Sequence, residues 1–256
     1  MNTTFERRGR VAIVTIDRPE ARNAVDAETA AELLGHFQDF DDDEALDVAV
    51  LTGTGGTFCA GADLKAVSGG RKMVLEEEGP GPMGPSRLML GKPVIAAIEG
   101  HAVAGGIELA VWCDMRVAAS DAVLGVFCRR FGVPLMDVGT IRLPRLIGHG
   151  RALDLILTGR GVGAQEAHAM GLVDRVCAPG DALLVAVELA EQLSSLPQAC
   201  LRSDRASVYE QWSLPFDDAI RNEFRRGMDV IASGETLEGA TRFASGEGRH
   251  GNRTTR

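Results

Sequence analysis

The sequence predicts an α/β protein: a layered core of alternating strands and helices, followed by a helical C-terminal part. Three observations carry this expectation. Short β-rich runs recur through the first half, helical patterning fills the gaps between several of them, and nearly every segment after Gly139 has helical periodicity. With 256 residues and 45% hydrophobic composition, the chain is long enough to bury one large core.

The first element is the run VAIVTID over 11–17, too short and too β-branched for a helix. DAETAAELLGHFQDF follows as an amphipathic helix with Asp26 as its N-cap. DVAVLTG (47–53), KPVIAAIEG (92–100), RVAAS (116–120) and VLGVF (123–127) continue the strand series. Between them, EEEGPGPMGPS (76–86) reads as a mobile surface segment whose acids are solvated. Beyond Gly139, RALDLILTG, AQEAHAMG, DALLVAVELAEQLSSL and the stretch from Pro215 to Ser233 are helical, interrupted by the strand-like GLVDRVC. The RHGNRTTR tail is expected to fray. No internal repeat or long linker is present.

Composition excludes several classes of function. A formal net charge of -9 argues against a nucleic-acid partner. No apolar run approaches the roughly 20 residues that span a bilayer, and MNTTFERRGR lacks the apolar centre of a secretory signal, so no membrane partner and a cytoplasmic location are expected. Five cysteines with no CxxC pair and five dispersed histidines with no HExxH signal neither a disulfide framework nor a metal site. GxSxG is absent, and GPSRLMLGK has six residues between its glycines where a P-loop needs four. GTGG after the second strand lacks the rest of a dinucleotide fingerprint.

Two glycine-rich segments each follow a strand: LTGTGGTFCAGADLK (51–65) and IEGHAVAGGIELA (98–110), in which Gly105-Gly106 opens a helix. Glycines let backbone approach a ligand, and a helix N-terminus offers unpaired N–H groups suited to developing negative charge. Two such N–H groups converging from separate loops would form an oxyanion hole. Glu108 stands one turn into the second segment, where a buried carboxylate requires either partners in the core or a chemical role.

FCAGADLK and GHAVAGGIELAVWCD resemble the two signature regions of the enoyl-CoA hydratase, or crotonase, family. RPEARNA (18–24), KPVIAAIEG and LTGRGVGAQEAHAMGLVDRV extend the resemblance over at least residues 10–177. It implies a spiral of ββα turns, with a crotonase-like core over 1–195 and a helical trimerisation region over 196–256. It also implies an acyl-CoA substrate whose thioester oxygen is held by the Ala62 and Gly105 N–H groups. Backbone near Ala60 would meet the adenine, and Arg22, Asp63, Leu64, Cys128 and Met136 would contribute to the substrate and coenzyme A site. Trimers, or hexamers formed as dimers of trimers, are expected. No cofactor is expected beyond the coenzyme A of the substrate.

The family's hydratases carry two catalytic glutamates, and Glu108 falls where the first stands. Twenty residues on, where the second is expected, this chain has Cys128. A thiol is a poor substitute for a carboxyl in water activation. Asp137, beside the Met136 position where some isomerases and dehalogenases of the family carry a working aspartate, is the expected replacement through a one-residue loop shift. On this reading Glu108 orients or deprotonates water and Asp137 relays the second proton; a purely local role for Asp137 is the alternative. Cys128 beside Arg129 and Arg130 is either a packed thiol or a nucleophile of lowered pKa. The arginine pair is either solvated or answers an acidic acyl group or a phosphate.

The leading expectation is an enoyl-CoA hydratase of fatty-acid or related acyl metabolism. Enoyl-CoA isomerisation, thioester hydrolysis and acyl-CoA binding without turnover are the alternatives. The acyl pocket is expected from residues 66–90, where the resemblance is thinnest.

Overall fold

The computed structural model describes residues 1–70 and 73–247. In chain order, β1 (Thr3–Arg8) and β2 (Val11–Ile16) lead to α1 (Ala27–Asp42), β3 (Val48–Gly53) and the short α2 (Leu64–Ser68). Then come β4 (Val94–Ile98), β5 (His101–Val103), α3 (Gly105–Trp112), β6 (Met115–Ala119) and β7 (Val123–Gly125). A helical hairpin, α4 (Gly139–Ile147) and α5 (His149–Thr158), precedes β8 (Gly161–Gly163), α6 (Ala164–Ala169) and β9 (Arg175–Cys177). Four helices finish the described chain: α7 (Ala182–Ser194), α8 (Gln198–Glu210), α9 (Phe216–Ala232) and α10 (Glu235–Ala244).

The main sheet has the order β1-β2-β3-β4-β6-β9, with β1 antiparallel to β2 and the remaining neighbours parallel. Strand alternation assigns its two faces. Ala12, Val14, Ile16, Ala49, Leu51, Ala96 and Ile98 face the larger core with α1 and α3. Val11, Ile13, Val48, Val50, Ile95 and Ala97 face Ala182, Ala186, Leu189 and Ala190 of α7. A sheet covered on both faces demands continuously apolar strands, which is why these runs are legible in the sequence. A small second sheet, β5-β7-β8, lies beside it; the isolated bridge Cys59↔Ala102 ties the loop after β3 to β5, and Val25↔Ala62 ties that loop to the segment before α1. This is the expected crotonase-like α/β spiral.

Asp26 caps α1 as predicted, its side chain accepting from the Thr29 N–H at 3.0 Å. Several expectations need correction. The edge strand β1 is absent from the predicted series because TTFERR is mostly polar and exposed. The strand read over 123–127 stops at Gly125, since Phe127 opens a 3-10 turn. The segment over 76–86 is a surface strip only in its first half: Glu76, Glu77 and Glu78 are exposed, but residues 82–86 are buried. The helices that follow Gly139 do not stand apart from the strands, because α7 covers the sheet and α4 contacts α3. Of the α-helices among the described residues, α8, α9 and α10 alone contain no buried residue. Arg205 Nε and Tyr209 Oη anchor α8 by donating to Asp114 at 2.7 and 2.8 Å. The tail expected to fray, 249–256, lies outside the described residues. No helix among the described residues is long and apolar enough to cross a membrane.

Candidate active site

The loop after β3 is held against β5 by backbone bonds: Cys59 N–H donates to His101 O at 2.9 Å, and Val103 N–H to Cys59 O at 3.0 Å. The buried Asn23 amide braces its start, donating to Thr54 O at 2.9 Å and Thr57 O at 2.6 Å. Gly61 takes φ +94°, and a Cβ on it would stand 2.7 Å from Gly105 N. Only glycine permits that approach of the two loops. Ala104 precedes α3 at φ 55° and ψ -125°, a strained backbone for a residue with a Cβ. The result is two N–H groups, those of Ala62 and Gly105, that donate to no acceptor among the described residues. Both residues line one cavity of about 700 Å³.

Glu108 projects into the same cavity from α3 and is only 2% exposed. Its Oε1 accepts from the Asp137 and Gly139 N–H groups, both at 2.9 Å, while Oε2 accepts no bond among the described residues. The loop can aim both donors because Val138 between them sits at φ 71°, a region a β-branched residue rarely enters. Burial pushes the Glu108 carboxyl up to about 7, and the charge of Asp137 adds to this; the backbone N–H bonds only partly offset it.

Asp137 also lines the cavity. Its Oδ1 accepts from Met83 N–H at 2.9 Å and from the Ser86 hydroxyl, and Oδ2 accepts no bond among the described residues. Burial raises this carboxyl as well, against the pull of the Ser86 and Met83 donors and of the Arg87 and Arg142 guanidinium charges. Arg142, from α4, donates to Ser86 O at 2.6 Å. The donors to the Asp137 carboxylate, Met83 and Ser86, therefore lie far away in the chain and are not local turn groups.

Of the residues expected at the site, Ala62, Leu64, Gly105, Glu108, Met136 and Asp137 line the cavity, whereas Arg22, Ala60, Asp63 and Cys128 do not. Asp63 caps α2 through Ala66 N–H at 3.0 Å and pairs with Arg18 at 3.0 Å. Ala60 N–H donates to the carbonyl of Arg22, which itself lies in the left-handed region. Cys128 is buried, and burial followed by the charge of Glu108 pushes its thiol up. The nucleophile reading is thereby corrected: Arg129 lowers the thiol by less than these raise it. The arginine pair is exposed, and each side chain is tied through Nε to a backbone carbonyl, Arg129 to Ile156 O at 3.1 Å and Arg130 to Gly159 O at 2.9 Å.

Sequence reasoning missed Met83, Ser86, Gly139 and Arg142. Three prolines and three glycines within 79–85 signalled a constrained backbone there, but nothing local showed that it packs inward. Val67, Met73, Leu75, Met83 and Val133 make the cavity wall largely apolar. No group of three or more His, Cys, Asp or Glu side chains able to hold a metal occurs among the described residues.

The family model described as enoyl-CoA hydratase/isomerase matches residues 6–250. Enoyl-CoA hydratase EchA19 of Mycobacterium tuberculosis is 37% identical over 246 residues, covering 93% of this chain and 92% of its own. Crotonyl-CoA hydratase of Syntrophomonas wolfei is 34% identical over 245 residues, covering 94% of each chain. The crystal structure of enoyl-CoA hydratase EchA1 from Mycobacterium marinum superposes with a TM-score of 0.91 at 35% identity, over 100% of this chain and 98% of that one.

Proposed function

The chain belongs to the enoyl-CoA hydratase/isomerase family, and from that premise we propose that it adds water across the double bond of a 2-enoyl-CoA. One observation carries the reading: two unpaired N–H groups and two carboxyls, each with one oxygen tied and one left free, line a single cavity.

The Ala62 and Gly105 N–H groups take the thioester oxygen, withdrawing electrons so that Cβ becomes electrophilic and the enolate formed by water attack is stabilised. Glu108 and Asp137 divide the acid and base work, one receiving a proton from water and the other supplying one to Cα. Isomerisation needs only one such carboxyl; the presence of two favours hydration. The apolar wall suits an apolar acyl chain. Backbone near Ala60 meets the adenine, and the chemistry requires no cofactor beyond the coenzyme A of the substrate. The protein works in the cytoplasm, in fatty-acid or related acyl metabolism. Helices α8 to α10 pack copies of the chain into a trimer, or a hexamer built from two trimers.

The test is hydration of crotonyl-CoA, followed by absorbance, for wild type and Glu108→Gln at matched concentrations of folded protein. Turnover by the wild type with a loss of about 100-fold to 10,000-fold in the variant is expected. Coenzyme A thioester binding without hydration in the wild type refutes the reading in favour of isomerisation or binding alone.

A further inference from the structure

The two carboxyls are not held alike. Asp137 Oδ1 receives two donors, Met83 N–H at 2.9 Å and the hydroxyl of Ser86, a fully buried residue. Arg142 fixes the Ser86 carbonyl at 2.6 Å. The surrounding turn leaves no other room: Gly81 sits at φ +100°, and a Cβ there would overlap Ser86 Oγ and stand 3.1 Å from Asp137 Oδ1. Glu108 receives backbone N–H donors alone. The charged and titratable groups around the pair are Arg87 beside Ser86, Arg142 on α4, and Cys128 after β7, which feels the charge of Glu108.

Resting on the acid/base pair above, we propose that Ser86 is a positioning residue: its hydroxyl, with the Met83 N–H, holds Asp137 as the carboxylate of the pair and leaves the resting proton on Glu108. Burial raises the Asp137 carboxyl, and it is a hydroxyl donor, a backbone N–H and two nearby guanidinium charges that oppose this by stabilising its anion. Glu108 faces that anion from a buried position, which agrees with its rise to about 7. The roles expected from the sequence are thereby exchanged.

In the forward reaction a water oxygen bonds to Cβ while its proton passes to Asp137 Oδ2. The π pair moves toward the thioester as enolate and then forms the new Cα–H bond with the proton from Glu108. Return of a proton from Asp137 to Glu108 through water restores the resting pair.

Infrared titration of the full chain tests this, with carbon-13 in glutamate side chains in one sample and in aspartate side chains in another. A buried protonated-carboxyl band that vanishes as pH rises through about 7 should shift with the glutamate label and be missing in Glu108→Gln. A band that follows the aspartate label overturns the proposal. In Ser86→Ala, a protonated aspartate band should persist to higher pH, the acid limb of kcat should move up, and kcat should fall about 10-fold to 100-fold with KM little changed. An unmoved acid limb overturns the positioning role, and the wild-type spectra decide the proton's place even if Ser86→Ala fails to fold. Neither spectrum needs turnover, so a glutamate band in a chain that does not hydrate crotonyl-CoA supports the clamp while removing the hydratase reading. A hydrating chain with its band on aspartate removes the clamp alone.

Discussion

At Glu108 the carboxyl is aimed by what its neighbours lack. A Cβ on Gly139 would stand 2.7 Å from Glu108 Oε1 and 2.8 Å from its Cγ, inside any normal contact. Gly139 opens α4 and does not require a positive φ, so alanine suits the helix itself and clashes only with the carboxyl. Gly139→Ala should therefore retain the wild-type circular dichroism and lower kcat by about 100-fold, as expected for a catalytic group displaced by an ångström or so. Unchanged kcat with crotonyl-CoA would show that the position of Glu108 does not matter to turnover. Gly105 follows the same logic on the other side of the cavity, where a Cβ would meet Met83 Sδ at 2.8 Å. The importance of the glycine at 105 could be read from its place at the start of a helix, though not its contact with Met83. The need at 139 could not, because Glu108 is 31 residues away in the chain.

Elements buried on both faces were the legible ones. β2, β3, β4 and β6 carry apolar runs that the sheet needs, and α3 buries every residue from Gly106 to Trp112. β5 and β8, three residues each, have too little sequence to show a period, yet β5 carries the loop that ends in Gly105. At the other extreme, α9 packs beside α8 and α10 but keeps an apolar stripe in the open in the single chain: Phe216, Ile220, Phe224 and Ile231 are all exposed. Such a stripe fits packing against further copies. On the assembly proposed above, Phe224→Asp should lower the mass seen by light scattering from that of a trimer or hexamer toward that of the monomer, while crotonyl-CoA thioester binding by the core persists. An unchanged mass would place the subunit contacts elsewhere.

Over the whole molecule, the burial of Glu108 costs stability in a pH window that can be named. Its folded pKa is raised from 4.5 to about 7, so its contribution is fully present below about 4.5 and is lost as pH rises through about 7. Asp63, Glu166 and Glu210 shift downward and act in the opposite sense, losing their contribution as pH falls. A comparison with Glu108→Gln isolates the first effect. The variant should gain on the order of 2 kcal/mol relative to wild type between about pH 5 and pH 8, measured from urea midpoints. A constant difference across that range would mean that Glu108 titrates normally.

The sequence by itself determined the α/β class, the two glycine loops and the carboxylate between them, because apolar periodicity, tight turns and helix starts are local properties of a chain. Only the tertiary structure decided what stands around that carboxylate. Met83 and Ser86 reach the Asp137 carboxylate from 54 and 51 residues away, Arg142 holds the Ser86 carbonyl from 56 residues away, and Cys128, next to two arginines in sequence, is buried while those arginines donate to backbone carbonyls of another segment. Charge states in a buried site depend on distance through space and on access to water, and neither quantity is encoded by adjacency along the chain.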